Sequence, residues 1–307
     1  MAVITDHRVL GRELSNWGRW GAEDQLGTLN FLTRDRVVAG ARSIRSGDVF
    51  ELSLPLDEHG PQPPGSVRSN PVHTMTRLPD APIESGGFHY FDDAMFLHLQ
   101  GATQLDALAH VSYDGMLYNG VSAVSAVTAA GASRLGMENY VGRITGRAVL
   151  LDIPEMTGRQ RLEPTEPVSA ADLSAAEAHV GVQVERGDIV VVRTGWMQVL
   201  LGGDSDAYFA SAPGLDMSTA SWLRERDVAF VAADTWGIEV SPSESGAAMP
   251  LHCVLVRDMG MPLGEMFVLE ELAAAVAARG DAAFHLSCAG LRITGGVGSP
   301  VAPVATL

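Results

Sequence analysis

Apolar stretches of strand length alternate with helix-like stretches along most of this chain, and this alternation constrains the fold more than any other feature. Three of the apolar stretches have the composition of buried strands: residues 148–153, 188–193 and 228–234. Helical patterns cover four further segments: residues 122–135, the segment opened by the capping residues 169–172, residues 219–226, and residues 270–279 before Gly280. The alternation predicts an α/β fold, a single compact domain with a mixed central β-structure.

Shorter strand-like stretches extend the predicted sheet: residues 48–54, 95–101, 282–287 and 291–293. Residues 55–70 are rich in Pro, Gly and polar side chains, which predicts a long loop. Loops of this length inside compact domains are often functional. The chain has no internal repeat, low-complexity linker or compositional boundary, so a second domain is not predicted.

Composition and charge exclude several classes of protein. The chain has 307 residues, of which 46% are apolar, and its formal net charge is −16. Such acidity argues against a nucleic-acid partner, because proteins that bind phosphate backbones carry basic patches. No run is long and apolar enough to span a membrane, and the N-terminus lacks the pattern of a secretory signal. With two cysteines, Cys253 and Cys288, the sequence predicts a cytoplasmic protein without a disulfide framework.

Polar side chains at even spacing interrupt the apolar segment 100–110. Gln100, Gln104, Asp106 and His110 are separated by even numbers of residues, and on an extended strand the first three would share one face. Because an unpaired buried amide or carboxylate is costly, a metal, a substrate or a hydrogen-bond network must lie in front of that face. The segment therefore predicts an active site. The alternative is an edge strand whose polar face meets water.

The same segment resembles the signature of the cyclase family, whose metal-dependent hydrolases include kynurenine formamidase and isatin hydrolase. The family signature is His-x-Gly-Thr-His-x-Asp-x-Pro-x-His, and Thr103 aligns with its threonine. Asp106 then corresponds to the ligand aspartate and His110 to the catalytic histidine. Gln100 and Gln104 stand where the family has two ligand histidines. The chain thus resembles a branch of the family in which glutamine replaces both.

A second, distal segment carries the rest of the resemblance. His252, followed after an apolar stretch by Glu265, resembles the family's second half-site, and the Gly-rich tail at 291–300 resembles its C-terminal turn. The resemblance covers residues 47–307 and leaves residues 1–46 as an N-terminal extension packed on the domain. It implies the swivelling β/α fold of kynurenine formamidase and assembly as a homodimer or homotetramer.

The resemblance also implies a chemistry. Asp106, His252 and Glu265 would hold one divalent ion, Mn²⁺ or Zn²⁺, whose bound water attacks the carbonyl of a small amide, lactam or ester. His110 would serve as general base and then as general acid. Gln100 and Gln104 would be weak carboxamide ligands, so we expect one ion or none. The alternative is a metal-free lyase, cyclase or binding protein on the same fold.

Four other side chains are candidates for substrate binding: Trp236, His73, Tyr118 and His98. Trp236 follows an apolar strand, His73 follows the long loop, His98 lies just before Gln100, and Tyr118 lies shortly after the signature. Each has a structural alternative, namely a core tryptophan, a surface histidine, a core histidine and a turn tyrosine. The sequence contains no Gly-x-Ser-x-Gly motif, so a serine hydrolase is disfavoured.

Overall fold

The computed structural model describes residues 6–307. Its strands, in chain order, are β1 (Val49–Glu51), β2 (Val72–Arg77), β3 (Asp92–Phe96), β4 (Gln104–Asp106), β5 (Val127–Thr128), β6 (Gly131–Ala132), β7 (Thr145–Asp152), β8 (Pro167–Val168), β9 (Ile189–Arg193), β10 (Gly214–Leu215), β11 (Phe230–Ala233), β12 (Leu263–Glu265), β13 (Ala283–Ser287), β14 (Gly298–Pro300) and β15 (Val304–Thr306). Nine of these form one sheet in the order β1-β15-β13-β7-β9-β11-β12-β4-β14, and the others form three two-stranded sheets.

Several helices pack against this sheet and others pack against one another. They are α1 (His7–Leu14), α2 (Arg34–Ser43), α3 (Ala123–Ala126), α4 (Ala170–Val180), α5 (Met197–Leu201), α6 (Ser205–Ala210), α7 (Thr219–Glu225), α8 (Pro250–His252) and α9 (Glu270–Arg279). Helix α8 continues directly into a π-helical segment, Cys253–Met259. No helix within residues 6–307 combines the length and the apolar character needed to cross a membrane.

The middle of the large sheet is parallel and buried. Strands β7, β9, β11 and β12 run parallel to one another, and antiparallel strands extend the sheet on both sides. Every residue of β9, including Arg193 at its end, is buried, since parallel strands in α/β proteins are covered on both faces and are mostly apolar. The prediction of a single α/β domain with a mixed central β-structure is confirmed.

Local sequence signals define the ends of two helices as predicted. Ser169 and Asp172 form a capping box at the start of α4: the Asp172 N–H donates to Ser169 Oγ at 3.3 Å, and the Ser169 N–H donates to the Asp172 carboxylate at 2.8 Å. Helix α9 ends at Gly280, whose φ of 71° is the left-handed conformation that glycine adopts without strain. These ends were predictable because capping depends on neighbouring residues only.

Three predicted elements are wrong in part. The helix expected over residues 122–135 is limited to α3, because the chain turns into the β5–β6 hairpin, where Gly131 has a φ of 107° and lies against the backbone of Gly295. Residues 291–293 form no strand; β14 and β15 complete the sheet instead. The strand expected over 95–101 ends at Phe96. In each case an alanine-rich or apolar stretch suggested regular structure that tertiary contacts override.

The segment before residue 47 is built onto the same core. The Asn16 side-chain amide donates to Met259 O and the Trp17 indole N–H donates to Arg257 O, both at 2.8 Å. Gly40 in α2 lies so close to β7 that an added Cβ would stand 2.4 Å from the carbonyl carbon of Gly146. Residues 1–5 of the predicted extension lie outside the described residues.

Candidate metal centre and active site

Strand β4 brings two of the predicted ligands into the core on one face. Its partner β12 runs antiparallel and places Glu265 directly opposite Gln104, so the side chains of Gln104, Asp106 and Glu265 share that face. His252, at the end of α8, completes the group. Ligand atoms of Asp106, His252 and Glu265 all lie within 4.8 Å of one another, and the three residues are buried. Side chains from three separate elements thus meet at one point.

His252 is held between two carboxylates. Its Nδ1 lies 2.6 Å from Glu239 Oε1 and its Nε2 lies 3.0 Å from Glu265 Oε1. Glu239 also accepts the backbone N–H groups of His252 at 2.8 Å and Leu251 at 3.1 Å, which attaches it to the start of α8. Burial opposes a charge on the imidazole, yet hydrogen bonds to Glu239 and Glu265 raise the pKa of His252 to about 10.

Asp106 is buried without a full set of hydrogen-bond partners. Burial raises its pKa above the ordinary value, and the positive charges of His110 and His252 oppose that shift. Two buried oxygens of this face, Asp106 Oδ1 and Gln104 Oε1, have no hydrogen-bond partner among the described residues. Unpaired buried acceptors beside a second carboxylate and an imidazole are the donor set that a divalent cation requires. The residues present therefore fit a metal ion.

The two glutamines differ in position. Gln104 is fully buried on β4, and its amide nitrogen donates a short hydrogen bond to Glu265 Oε2. Gln100 lies in the turn before β4, so the expectation that it shares a strand face with Asp106 is wrong. Its Nε2 lies 3.5 Å from His110 Nδ1 and packs closely against Gly298 of β14. Gln104 is therefore within the Asp106–His252–Glu265 group, whereas Gln100 contacts the predicted acid–base histidine.

His110 lies at the boundary between this buried group and solvent. Its Nε2 is 3.8 Å from Asp106 Oδ1, and its side chain is 25% exposed while that of Asp106 is 1% exposed. The ring lines a cleft of about 470 Å³ together with Asp106, His252 and Glu265. A partly exposed imidazole beside a buried carboxylate can exchange protons with a molecule in the cleft.

The cleft walls combine apolar and polar side chains. Trp236 lies on one wall near Phe209, with ring centroids 6.2 Å apart, and its indole N–H has no acceptor among residues 6–307. The long loop predicted over 55–70 supplies Gln62 and Arg68. One guanidinium nitrogen of Arg68 donates to Gln100 O at 2.7 Å. The cleft therefore offers a planar apolar surface and a cationic group beside the candidate metal ligands.

Three predicted substrate contacts do not line this cleft. His73 is exposed on β2 and pairs with Asp93 of β3 at 2.6 Å. His98 accepts the Ser69 backbone N–H at its Nδ1, 3.0 Å away, outside the cleft wall. Tyr118 is fully buried, and its hydroxyl donates to Asp24 at 3.1 Å. Each of these side chains forms a hydrogen bond or ion pair with a residue of another segment. That packing between segments could not be predicted from their order in the sequence.

Sequence reasoning missed Glu239, Arg68 and Phe209. Glu239 carried a detectable signal, since it is a single acidic residue in the apolar sequence Gly237-Ile238-Glu239-Val240, and a charge buried there needs a partner. No comparable sequence signal marked Arg68 or Phe209, because an arginine in a loop and a phenylalanine in a helix are both common. Their proximity to the cleft depends on the folding of remote segments.

The Cyclase family model matches residues 50–240. A solved structure described as a novel cyclase is 37% identical with a TM-score of 0.89, covering 97% of this chain and 99% of its own. This chain belongs to the cyclase family. No curated protein matches it.

Two more distant structures share the fold. Isatin hydrolase A from Ralstonia solanacearum is 20% identical with a TM-score of 0.58, covering 84% of this chain and 91% of its own. A predicted metal-dependent hydrolase from Bacillus stearothermophilus is 16% identical to this chain and aligns with a TM-score of 0.55. The alignment covers 85% of this chain and 98% of the hydrolase. At this level of identity the likeness extends to the fold alone, and it agrees with the kynurenine formamidase-like fold expected from the sequence.

Proposed function

We propose that this protein is a metal-dependent hydrolase of a small amide, lactam or ester. The observation that carries the proposal is the buried group of Asp106, His252 and Glu265, whose ligand atoms lie within 4.8 Å of one another at a cleft that also contains His110. Membership of the cyclase family, in which isatin hydrolase shares the fold, supports a hydrolytic reaction.

Asp106, His252 and Glu265 would hold one Mn²⁺ or Zn²⁺ ion, with Gln104 Oε1 available as a weak fourth donor. When bound, such an ion lowers the pKa of a coordinated water and polarises a carbonyl oxygen. His252 must be neutral to act as a ligand, and Glu239 then orients its ring by accepting the Nδ1 hydrogen. Gln100 would contribute through His110 rather than as a ligand, because its amide lies beside that ring.

His110 would move the protons of the reaction. Its ring faces the cleft, where it can accept a proton from the attacking water and return it to the leaving nitrogen or oxygen. Trp236 and Phe209 would cover the apolar part of the substrate. Arg68 makes the cleft more positive in a chain of net charge −16, which offsets the general repulsion of anionic molecules. We further propose a cytoplasmic location, in keeping with two free, buried cysteines.

Metal analysis combined with chelation tests the proposal. The protein purified without added metal should contain about one Mn²⁺ or Zn²⁺ per chain, and a panel of small amides, lactams and esters should include a substrate whose hydrolysis stops on chelation and resumes on adding metal. Asp106→Asn should lose both metal and activity, whereas His179→Ala, a surface change, should lose neither. Full activity without metal in a chelator would instead support a metal-free lyase or cyclase, and ligand binding without turnover would support a binding protein.

A further inference from the structure

The helix that carries His252 has an unusual winding. Helix α8 and the π-helical segment Cys253–Met259 that continues it are hereafter the ligand helix. The Gly260 N–H closes the π-helical segment by donating to Leu255 O, five residues earlier. A π-helical turn contains one residue more than an α-helical turn, and such turns are rare, short and frequent at functional sites. The surrounding structure must therefore stabilise this winding.

The last carbonyl groups of the ligand helix are bound by the segment of residues 7–28, hereafter the clamp. The carbonyls at the end of a helix lack partners within it. Here four successive carbonyls each accept a hydrogen bond from the clamp. The bonds join Trp17 Nε1 to Arg257 O at 2.8 Å, Asn16 N to Asp258 O at 3.0 Å, Asn16 Nδ2 to Met259 O at 2.8 Å, and Thr28 N to Gly260 O at 2.8 Å.

The clamp also lies very close to the ligand helix. A Cβ added at Gly27 would stand 1.8 Å from Gly260 O, and a Cβ added at Gly11 of α1 would stand 2.0 Å from Asp258 Oδ2. Asp258 and Met259 are buried in this contact. A shift of this end by one residue would therefore collide with the clamp as well as break its hydrogen bonds.

The other end of the ligand helix is held by Glu239, which accepts the N–H groups of Leu251 and His252. If the helix rewound as an α-helix, one end would have to move by one residue, which turns a side chain by about 100° around the axis. With the clamp end fixed, that turn would take His252 Nε2 away from Glu265 Oε1, which lies 3.0 Å from it. With the Glu239 end fixed, the clamp would lose its hydrogen bonds. The π winding satisfies both ends at once.

We propose that the clamp positions the candidate metal ligand His252 by holding the ligand helix in its π winding. Asn16 and Trp17 are positioning residues, since their side chains bind the last carbonyls and are not among the residues that line the cleft. The clamp precedes residues 50–240, which the family model matches. The proposal deepens the proposed function and rests on it for the role of His252 as a ligand.

The coupling between the clamp and the metal acts in both directions, because the two binding events share one thermodynamic cycle. A metal ion holds His252 and hence one end of the ligand helix, so it should tighten the contact at the other end. Conversely, when the clamp is weakened, the metal must itself order His252, and this lowers its affinity. Metal affinity and the protection of the clamp amides should therefore change together.

Trp17→Phe tests the clamp. It removes the donor of Arg257 O and keeps an aromatic ring beside the Arg257 guanidinium, which lies 4.3 Å from the Trp17 ring centroid. In competition with a chelator of known affinity, binding of Mn²⁺ or Zn²⁺ should weaken at least about 5-fold, the lower end of the usual coupling between sites. In the metal-free variant, hydrogen exchange should become faster at residues 253–260 and stay unchanged in β7 and β9. Faster exchange in all these segments would mean a general loss of stability and overturn the proposal.

Trp20→Phe is the matched control, because it makes the same change within the same segment. Trp20 packs against Phe31, with ring centroids 5.1 Å apart, and against the Arg19 guanidinium at 5.2 Å. The carbonyls at the end of the ligand helix keep their donors in this variant, so its metal affinity and exchange should match those of wild type. Equal metal affinities in Trp17→Phe and Trp20→Phe, with metal bound to wild type, would overturn the clamp and leave the proposed function standing.

Wild type alone decides the question if Trp17→Phe fails to fold. Adding the tighter-binding of Mn²⁺ and Zn²⁺ to the metal-free protein should slow hydrogen exchange of the Asn16 and Thr28 N–H groups and leave the Asp172 N–H of α4 unchanged. Unchanged exchange at Asn16 and Thr28 with metal bound overturns the clamp. A wild type that binds neither ion overturns the proposed function, and with it the ligand role of His252 that the clamp serves.

Discussion

At the scale of single residues, the most specific assignment is that of His110 as the acid–base group. Its ring lies between the buried Asp106 and the open cleft, and it is not among the three candidate metal ligands. His110→Ala should therefore lower kcat by roughly a hundredfold to ten-thousandfold, the usual contribution of a positioned acid–base group. Steady-state hydrolysis measures this, and metal content should stay at the wild-type value. Near-normal kcat with full metal loading would make His110 a structural residue.

The glutamines provide a second residue-scale prediction. Carboxamide oxygen is a weaker Zn²⁺ ligand than imidazole, so wild type should hold at most one tightly bound ion. Gln100→His combined with Gln104→His should raise Zn²⁺ affinity and bring the stoichiometry toward two, because an imidazole at position 104 would join the ligand group directly and one at position 100 would place a further nitrogen donor beside His110. Elemental analysis of both proteins after dialysis checks this. Two tightly held zinc ions in wild type would contradict the prediction.

At the scale of elements, helix α8 and its anchor Glu239 act as a unit. Glu239 accepts the first backbone N–H groups of α8 and the His252 ring, so one carboxylate both caps the helix and orients the ligand. Glu239→Gln removes the charge that stabilises this arrangement and should weaken Mn²⁺ or Zn²⁺ binding by about 10–100-fold. Competition with a chelator of known affinity measures the change.

The neighbouring exposed acid provides the control for that experiment. Glu244→Gln also removes one negative charge, from the exposed loop before α8, and leaves the contacts of His252 unchanged. This variant should therefore bind metal as wild type does. Equal losses in the two variants would mean that net charge, and not the Glu239–His252 contact, controls affinity. Unchanged affinity in Glu239→Gln would remove Glu239 from the site.

At the scale of the whole molecule, a buried carboxylate links the ends of two central strands. Asp234, just after β11, accepts the Thr194 N–H at 2.9 Å, the Thr194 hydroxyl at 2.7 Å and the Gly195 N–H at 2.7 Å. Burial, with the charge of Glu270, raises the pKa of Asp234 from 3.8 to about 7. The folded state therefore holds a proton that the unfolded chain releases near pH 4.

The free energy of unfolding should consequently fall as the pH rises from about 4 to about 7. Between about pH 4 and 7 the folded state binds more protons at Asp234, so this group changes the free energy of unfolding by up to about −1.4 kcal/mol per pH unit. Urea unfolding of wild type and Asp234→Asn at a series of pH values measures it. Asp234→Asn should have a lower free energy of unfolding overall. Its free energy of unfolding should also lack the part of the pH dependence that Asp234 contributes between about pH 4 and 7. Parallel pH profiles for the two proteins would contradict the prediction.

The amino-acid sequence determined those features that depend on local patterns. The apolar runs of β7, β9 and β11 are long enough to identify buried strands, and the Ser169 capping box and Gly280 identify helix ends from adjacent residues. Resemblance to the cyclase signature added the pairing of Asp106 with two residues about 150 positions away. These features depend on interactions between neighbouring residues or on a sequence motif, so they could be predicted from the sequence alone.

Tertiary structure alone decided how the site is completed. Strands β4, β12 and β14 have three residues each, too few to show a period of two, and their pairing places Glu265 opposite Gln104. The same packing moved Gln100 into a turn, buried Tyr118 away from the cleft and brought Glu239 to His252. Each outcome depends on contacts between segments far apart in the chain, which local propensity and hydrophobic pattern do not encode.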